Sequence, residues 1–436
     1  MNTIARCAKQ FSRLSIGYVI LLGVVFSLIG YVYAPAILVS AGLYWSAVFK
    51  LRKKLSTRNA IQSIVLASLG LVFSGFSLLF DHSPSLLELL KGNLSIVSML
   101  VAVSFLTLIS QPKVGEKESL PQGRRFIIST FLGVHLFGAI INISSLFIHG
   151  DRMSANRALT RAQITVLSRG FSTAAFWSPF FAAMAVALNY APSANLVLLI
   201  PIGAGLAFMG MLFTFFEVKK LAANEVFYGY PLRLNSLYLP SILTLVVFVL
   251  HYLYPQLSIL FIITLCSPIL CLLLLLKKDQ PKVMFKRHVE NRIANMHNEI
   301  VLFLSAGIFG VGLQAILLNQ TWFAPFSQFD AVTASICFVF IVALTMVGFH
   351  MLIGISIIAP VVLPLHPDPS LLAFIVLSAW SIGATVGPLS GVNISIQGAY
   401  GVSSEKVLRW NLCYALFLWT LVVALIFLLD YWVLGK

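Results

Sequence analysis

A chain of 436 residues that is 59% hydrophobic and 10% charged, with a mean hydropathy of +0.95, cannot hide its apolar surface in a water-soluble core. It reads as a polytopic membrane protein, and its apolar runs of about 17 to 35 residues suit helices rather than the short alternating strands of a β-barrel. The net charge of +15 sits in short basic blocks between those runs, the pattern of cytoplasmic loops rather than of a nucleic-acid surface.

The first apolar run, from Ser15, follows Arg6, Lys9 and Arg13, and it continues without a convincing cleavage site, so it reads as a retained anchor. Candidate crossings are 15–34, 35–50, 60–81, 94–110, 194–217, 238–254, 257–276, 300–318 and 407–430. Between them lie two special regions, 126–190 and 331–400. Each carries a Gly-x-His, Gly133-Val134-His135 or Gly348-Phe349-His350, and then an apolar stretch broken at a proline. The stretches F-S-T-A-A-F-W-S-P (171–179) and W-S-I-G-A-T-V-G-P (380–388) match at Ser172/Ser381, Ala175/Ala384 and Pro179/Pro388. Two motifs recurring in one order, at offsets of 215 and 209 residues, predict an internal repeat.

Orientation follows from charge. With the N-terminus inside, 126–148 and 331–364 as re-entrant hairpins and 165–190 and 371–400 as broken helices that cross, 27 of the 29 Lys and Arg fall inside. The blocks include 113–125, with Lys113 and Lys117, and 152–169, which ends at Arg169. The expected fold is therefore an all-α polytopic membrane protein of about eleven transmembrane helices plus two re-entrant hairpins in inverted repeats. Its expected divisions are an N-terminal helical hairpin (1–59), a first repeat (60–217), scaffold helices with a cytoplasmic linker (218–299) and the core of the second repeat (300–436). The segment 277–299 reads either as an amphipathic surface helix or as a solvated charged linker.

Chemistry is narrowed by what the interior lacks. All 14 acidic residues fall at loops or crossing ends, which argues against a buried titrating Asp and against a bare metal cation held by carboxylates. No disulfide framework, zinc spacing, G-x-S-x-G, H-E-x-x-H or P-loop pattern is present, so no metal or cofactor is expected. The remaining interior polar set is neutral: Ser129, Thr130, His135, Ser172, Thr173, Ser178, Thr345, His350, Thr385, Ser390 and Asn393. Of these, His135, Ser172, Thr173, Ser178, His350, Thr385, Ser390 and Asn393 are the candidate substrate- or ion-binding residues. Beside exposed N–H groups of broken helices they suit an anion, because a helix N-terminus carries roughly half a positive charge. Ser129, Thr130 and Thr345 read more simply as hydroxyls bonded to their own helix carbonyls. His135 and His350 read either as packing residues or as groups that bind solute or take up a proton. His82, His149, His251, His288, His297 and His366 lie near interfaces and carry no such expectation.

G-A-T-V-G-P-L-S-G-V-N (383–393) resembles the Gly-rich Pro-x4-Asn motif of the broken helix in divalent anion:sodium symporters and their relatives in the ion transporter superfamily, among them arsenite permeases and NhaD-type antiporters. E-I-V-L-F-L-S-A-G-I-F (299–309) is similar to the crossing that precedes the second hairpin there. The chain departs from that pattern at the hairpin tips, with Gly-x-His for Ser-Asn-Thr, and after Ser178-Pro179, where no Asn follows at the family spacing. The resemblance implies a secondary transporter working by an elevator movement, usually as a homodimer, here in a bacterial inner membrane with protons or sodium as coupling ion. The alternative is a membrane-embedded acyltransferase-like enzyme using His135 or His350 as base. A structural or flippase-like role for a lipid-linked precursor is a third reading.

Overall fold

The computed structural model describes residues 15–80, 84–110, 120–221, 226–232, 238–317, 325–432 and 435. The basic N-terminus with Cys7, the lysines Lys113 and Lys117, His82 and Arg233 lie outside them. Among the described residues the regular elements are helices, joined by turns and loops, with one isolated antiparallel bridge between Gln122 and Tyr228. Among the described residues, six helical spans are long and apolar enough to cross a membrane: Thr57–Ser77, Leu86–Ile109, Leu196–Leu221, His297–Leu317, Pro369–Tyr400 and Ser404–Tyr431. Shorter apolar helices accompany them, and the chain is an all-α integral membrane protein. It divides into two compact units that each draw on both halves of the sequence, Met1–Gln111 with Val246–Thr321 and Pro112–Leu245 with Trp322–Lys436.

In the first unit, helices Thr57–Ser77 and His297–Leu317 approach backbone to backbone. A Cβ on Gly70 would stand 2.5 Å from the Ile308 carbonyl oxygen, and one on Gly312 would stand 2.1 Å from that of Gly70. Small residues permit such approach where lipid supplies no hydrophobic drive. Buried polar bonds fix the neighbours: Asn93 Nδ2 donates to the Phe303 carbonyl (2.9 Å), and the Tyr44 and Ser98 hydroxyls pair at 3.0 Å. The segment after Lys277 is amphipathic. Helix Pro281–Arg287 and the turn His288–Arg292 expose Lys282 and Lys286 while burying His288, Val289 and Ile293. His288, expected near an interface, is buried with Nε2 3.1 Å from Ser104 Oγ and its ring against Phe105. Burial, with Arg292 nearby, pushes its imidazole down to about 4.

In the second unit, both regions predicted as hairpins are pairs of helices: Arg125–Ile141 with Ser144–Ser154, and Ala331–Val347 with Met351–Val362. The second turns at Gly348, whose φ of 112° only glycine adopts freely. Both predicted broken helices are broken. The first runs Arg161–Ser172, tightens into a 3-10 turn at Thr173–Phe176 and resumes as Ala182–Tyr190; the second runs Pro369–Val386 and resumes as Gly391–Tyr400. Pro179 and Pro388 fall inside the gaps, where a residue without an N–H cannot continue the ladder. The long helix Leu196–Leu221 lies directly on the first break: a Cβ on Gly203 would come within 2.3 Å of the Phe176 carbonyl oxygen.

Residues 226–230, within the expected scaffold division 218–299, are pinned to the first hairpin and the residues just before it. Gly123 N–H donates to the Phe227 carbonyl, Gly229 N–H to Pro121, and Tyr230 N–H to Thr130 Oγ1, each at 2.8 to 3.0 Å. The Arg157 guanidinium covers the Tyr228 ring at 3.6 Å.

Arg169 stands apart from Arg152, Arg157 and Arg161, the other basic residues of its block, which are not buried. Grouped by sequence with the cytoplasmic blocks, it lies inside helix Arg161–Ser172 and is fully buried. Glu217, near the end of the apolar helix Leu196–Leu221, as the sequence places the acidic residues, holds that guanidinium at 2.7 Å.

Candidate functional site

Each break leaves helix-end carbonyls and N–H groups without helical partners, and nearby side chains satisfy many of them. At the second break, Ser390 Oγ donates to the Ala384 carbonyl (2.8 Å) and accepts the Asn393 N–H (3.2 Å). Asn393 Nδ2 donates to the carbonyls of both Thr385 (3.0 Å) and Gly387 (2.9 Å). Both amide hydrogens are thus committed, and Asn393 Oδ1 is buried without a partner. Thr385 Oγ1 bonds its own helix at Ile382, and Thr345 bonds Ile341, as lone hydroxyls in helices do.

The first break is fastened to the first hairpin instead. Ser178 Oγ donates to the Ala139 carbonyl and accepts the Phe180 N–H at 3.2 Å. His135 reaches across from the hairpin: Nε2 accepts the Trp177 indole N–H at 3.0 Å, while Nδ1 lies 3.2 Å from the Gly170 carbonyl and 3.0 Å from Thr173 Oγ1. An Nε2 that accepts requires the proton on Nδ1, so the ring is held neutral in one tautomer. Thr173 Oγ1 in turn donates to the Arg169 carbonyl at 2.9 Å.

His135, Thr173 and Ser178 thus gather where the first hairpin meets the first break, and Thr385, Ser390 and Asn393 gather at the second. His350 joins neither group. It caps helix Met351–Val362, with Nδ1 accepting the Leu352 N–H at 3.2 Å, and packs edge-on against Trp380. Ser172 Oγ is buried without a partner, but its carbonyl accepts Ser381 Oγ at 2.9 Å, so the repeat-related serines join the two broken helices.

The sequence reading missed three residues that complete this core. Arg169 donates Nε–H to Asn411 Oδ1 (2.7 Å) and Nη2 to the Trp410 carbonyl (3.0 Å), and its plane lies 4.3 Å over the Tyr414 ring. Asn411 Nδ2 is fully buried and points to the Val407 carbonyl (3.0 Å) and, at 3.4 Å, to that of Thr385. Glu217 closes the set. An Asn near the start of the last apolar run was the available signal, since a buried amide needs partners.

No protein-family profile matches the chain, and no curated protein does. Among solved structures, the crystal structure of the Alcanivorax borkumensis YdaH transporter, described as having an unusual topology, is similar over 85% of this chain and 83% of that one, at 15% identity and a TM-score of 0.39.

Proposed function

We propose that the chain is a secondary active transporter of a small anionic solute, coupled to protons or sodium. The observation that carries this reading is the pair of broken helices in one unit, each beside its own helical hairpin and joined at Ser172 and Ser381. Non-helical backbone at membrane depth is tolerated where it lines a site, and half-helix N-termini favour anionic groups. The partnerless Asn393 Oδ1 and Ser172 Oγ are buried polar atoms of the kind that a solute, ion or water satisfies.

In the same reading the two regions are inverted repeats, 126–148 and 331–364 are re-entrant, and about eleven helices cross. The hairpins and broken helices carry solute by an elevator movement, in a homodimer of a bacterial inner membrane with the N-terminus in the cytoplasm. The acyltransferase reading gains no support from His135, because the nitrogen facing Thr173 already bears the proton and cannot deprotonate that hydroxyl.

Uptake by proteoliposomes of a panel of radiolabelled organic anions tests the proposal. Accumulation above equilibration under an imposed proton or sodium gradient is expected; equilibration or exclusion of every anion under both gradients would overturn it.

A further inference from the structure

Arg169 is fully buried, beside the apolar helix Leu196–Leu221, and a buried guanidinium is costly unless partners hold it, which makes it a candidate for function. A guanidinium carries five N–H donors in a rigid fork. Asn411, Glu217 and Trp410 engage Nε, Nη1 and Nη2 once each, which leaves two donors for a further acceptor. The Tyr414 hydroxyl, on the ring beneath the guanidinium, is buried without a partner as well. Glu217 differs from its partner in access: its side chain is 24% exposed near the end of its helix, beside Lys219 and Lys220, while Arg169 is buried.

We propose that Arg169 is an anion-binding group under the control of Glu217, which holds the guanidinium when ionised and releases it to the solute's carboxylate or oxyanion when protonated. This rests on the transporter reading and deepens it by naming the binding group and the coupling ion. The charges balance at each step. The ionised pair is neutral; Glu217 takes one proton from water, Arg169 keeps its charge, and the site carries +1. One anionic group then restores neutrality, and anion and proton travel together.

The surroundings connect this switch to both breaks. The Arg169 carbonyl holds Thr173, which His135 touches, and Asn411 reaches the Thr385 carbonyl shared with Asn393. The two histidines suit the proton less well. His135 Nε2 and His350 Nδ1 each accept an N–H, so a proton added there would set two N–H groups head to head.

The ionisable groups brought towards Glu217 are few. Helix Arg161–Ser172 contributes Arg169 and, at 3.9 Å and 45% exposed, Arg161; that outer pair contributes little. The C-terminal helix contributes Tyr414, with Glu405, Lys406 and Arg409 in its first turns; the first hairpin contributes His135, with Arg125 at its start; Lys219 and Lys220 share the helix of Glu217. Helix Pro369–Val386 and the turn Thr173–Phe176 carry none.

The test uses the purified full-length protein in detergent with acetate, succinate and sulfate as probes. Anion-dependent shifts in melting give affinities between about pH 5 and about pH 8. At least one probe is expected to bind wild type about tenfold more weakly for each unit rise in pH while Glu217 is ionised. Glu217→Gln should hold the low-pH affinity throughout, and Arg169→Lys, which loses the fork, should bind weakly at every pH. Infrared difference titration of wild type should show a protonated-carboxyl band that Glu217→Gln removes. An unchanged pH dependence in Glu217→Gln, the absence of that band, or no binding of any probe at about pH 5 would each overturn the proposal. If Glu217→Gln does not fold, Glu217→Asp should shift the band and the pH profile together; an unmoved profile is equally damaging. Gradient-driven uptake that is the same in wild type and Glu217→Gln would discard this switch and leave the transporter reading standing. Absence of all uptake beside Glu217-dependent binding would do the reverse.

Discussion

Removing the Asn393 side chain isolates the work of the second break. Asn393→Ala deletes two bonds to the Thr385 and Gly387 carbonyls, both in a region sealed from water. A buried carbonyl left unsatisfied costs about 1 to 3 kcal/mol in soluble proteins, whereas interhelical polar bonds inside membranes average about 0.6 and reach about 1.7 kcal/mol. Asn411 already points to Thr385, so that carbonyl keeps a partner and Gly387 bears most of the loss. The expected destabilisation is about 1 to 3 kcal/mol. Thr385→Val is the control, because its hydroxyl only doubles a bond within its own helix and should cost under about 1 kcal/mol. Denaturant titration in mixed micelles, followed by tryptophan fluorescence, gives both values. Equal stability of the two variants would refute the view that Asn393 fastens the break.

Gly203→Val should lower the melting temperature and disturb the first break, because its Cβ meets the Phe176 backbone rather than a movable side chain; unchanged melting would contradict the packing. His288 has a folded-state value near 4 against about 6.5 when unfolded, so its contribution is intact above about pH 6.5 and is lost as pH falls towards 4. Wild type should therefore lose up to about 3 kcal/mol more than His288→Gln across that window, and parallel pH–stability curves would rule this out. For the threading, a cysteine at Arg157 should resist an impermeant outside label and one at Pro367 should take it; the opposite pattern inverts the topology.

The paired hairpins and breaks were legible because each has a local cause: a proline that cannot donate, a glycine that can turn, and a motif seen twice. Ser390 and Asn393 were legible for the same reason, since they adjoin a break whose backbone groups need partners, and the structure shows them bonded to those groups. Arg169 was not legible, since its burial depends on Glu217, 48 residues away, and Asn411, 242 away, and no local pattern encodes such partners. The histidines show the opposite limit. Their recurrence suggested equivalent roles, but His135 faces an indole and His350 a backbone N–H, because Trp177 and Trp380 occupy different positions in their repeats.

The interleaving of the two units has a consequence for biosynthesis. At about 5 to 20 residues per second, the 242 residues between Arg169 and Asn411 take roughly 10 to 50 s to emerge. Through that interval the first broken helix has Glu217 for its arginine but neither Asn411 nor the Trp410 carbonyl, and Ser172 lacks its Ser381. The half-made unit must wait in the insertion machinery, or in the lipid, with a charge pair sealed on one side only. Truncation after residue 321 should accordingly yield a nascent chain that is degraded rather than a stable half-protein.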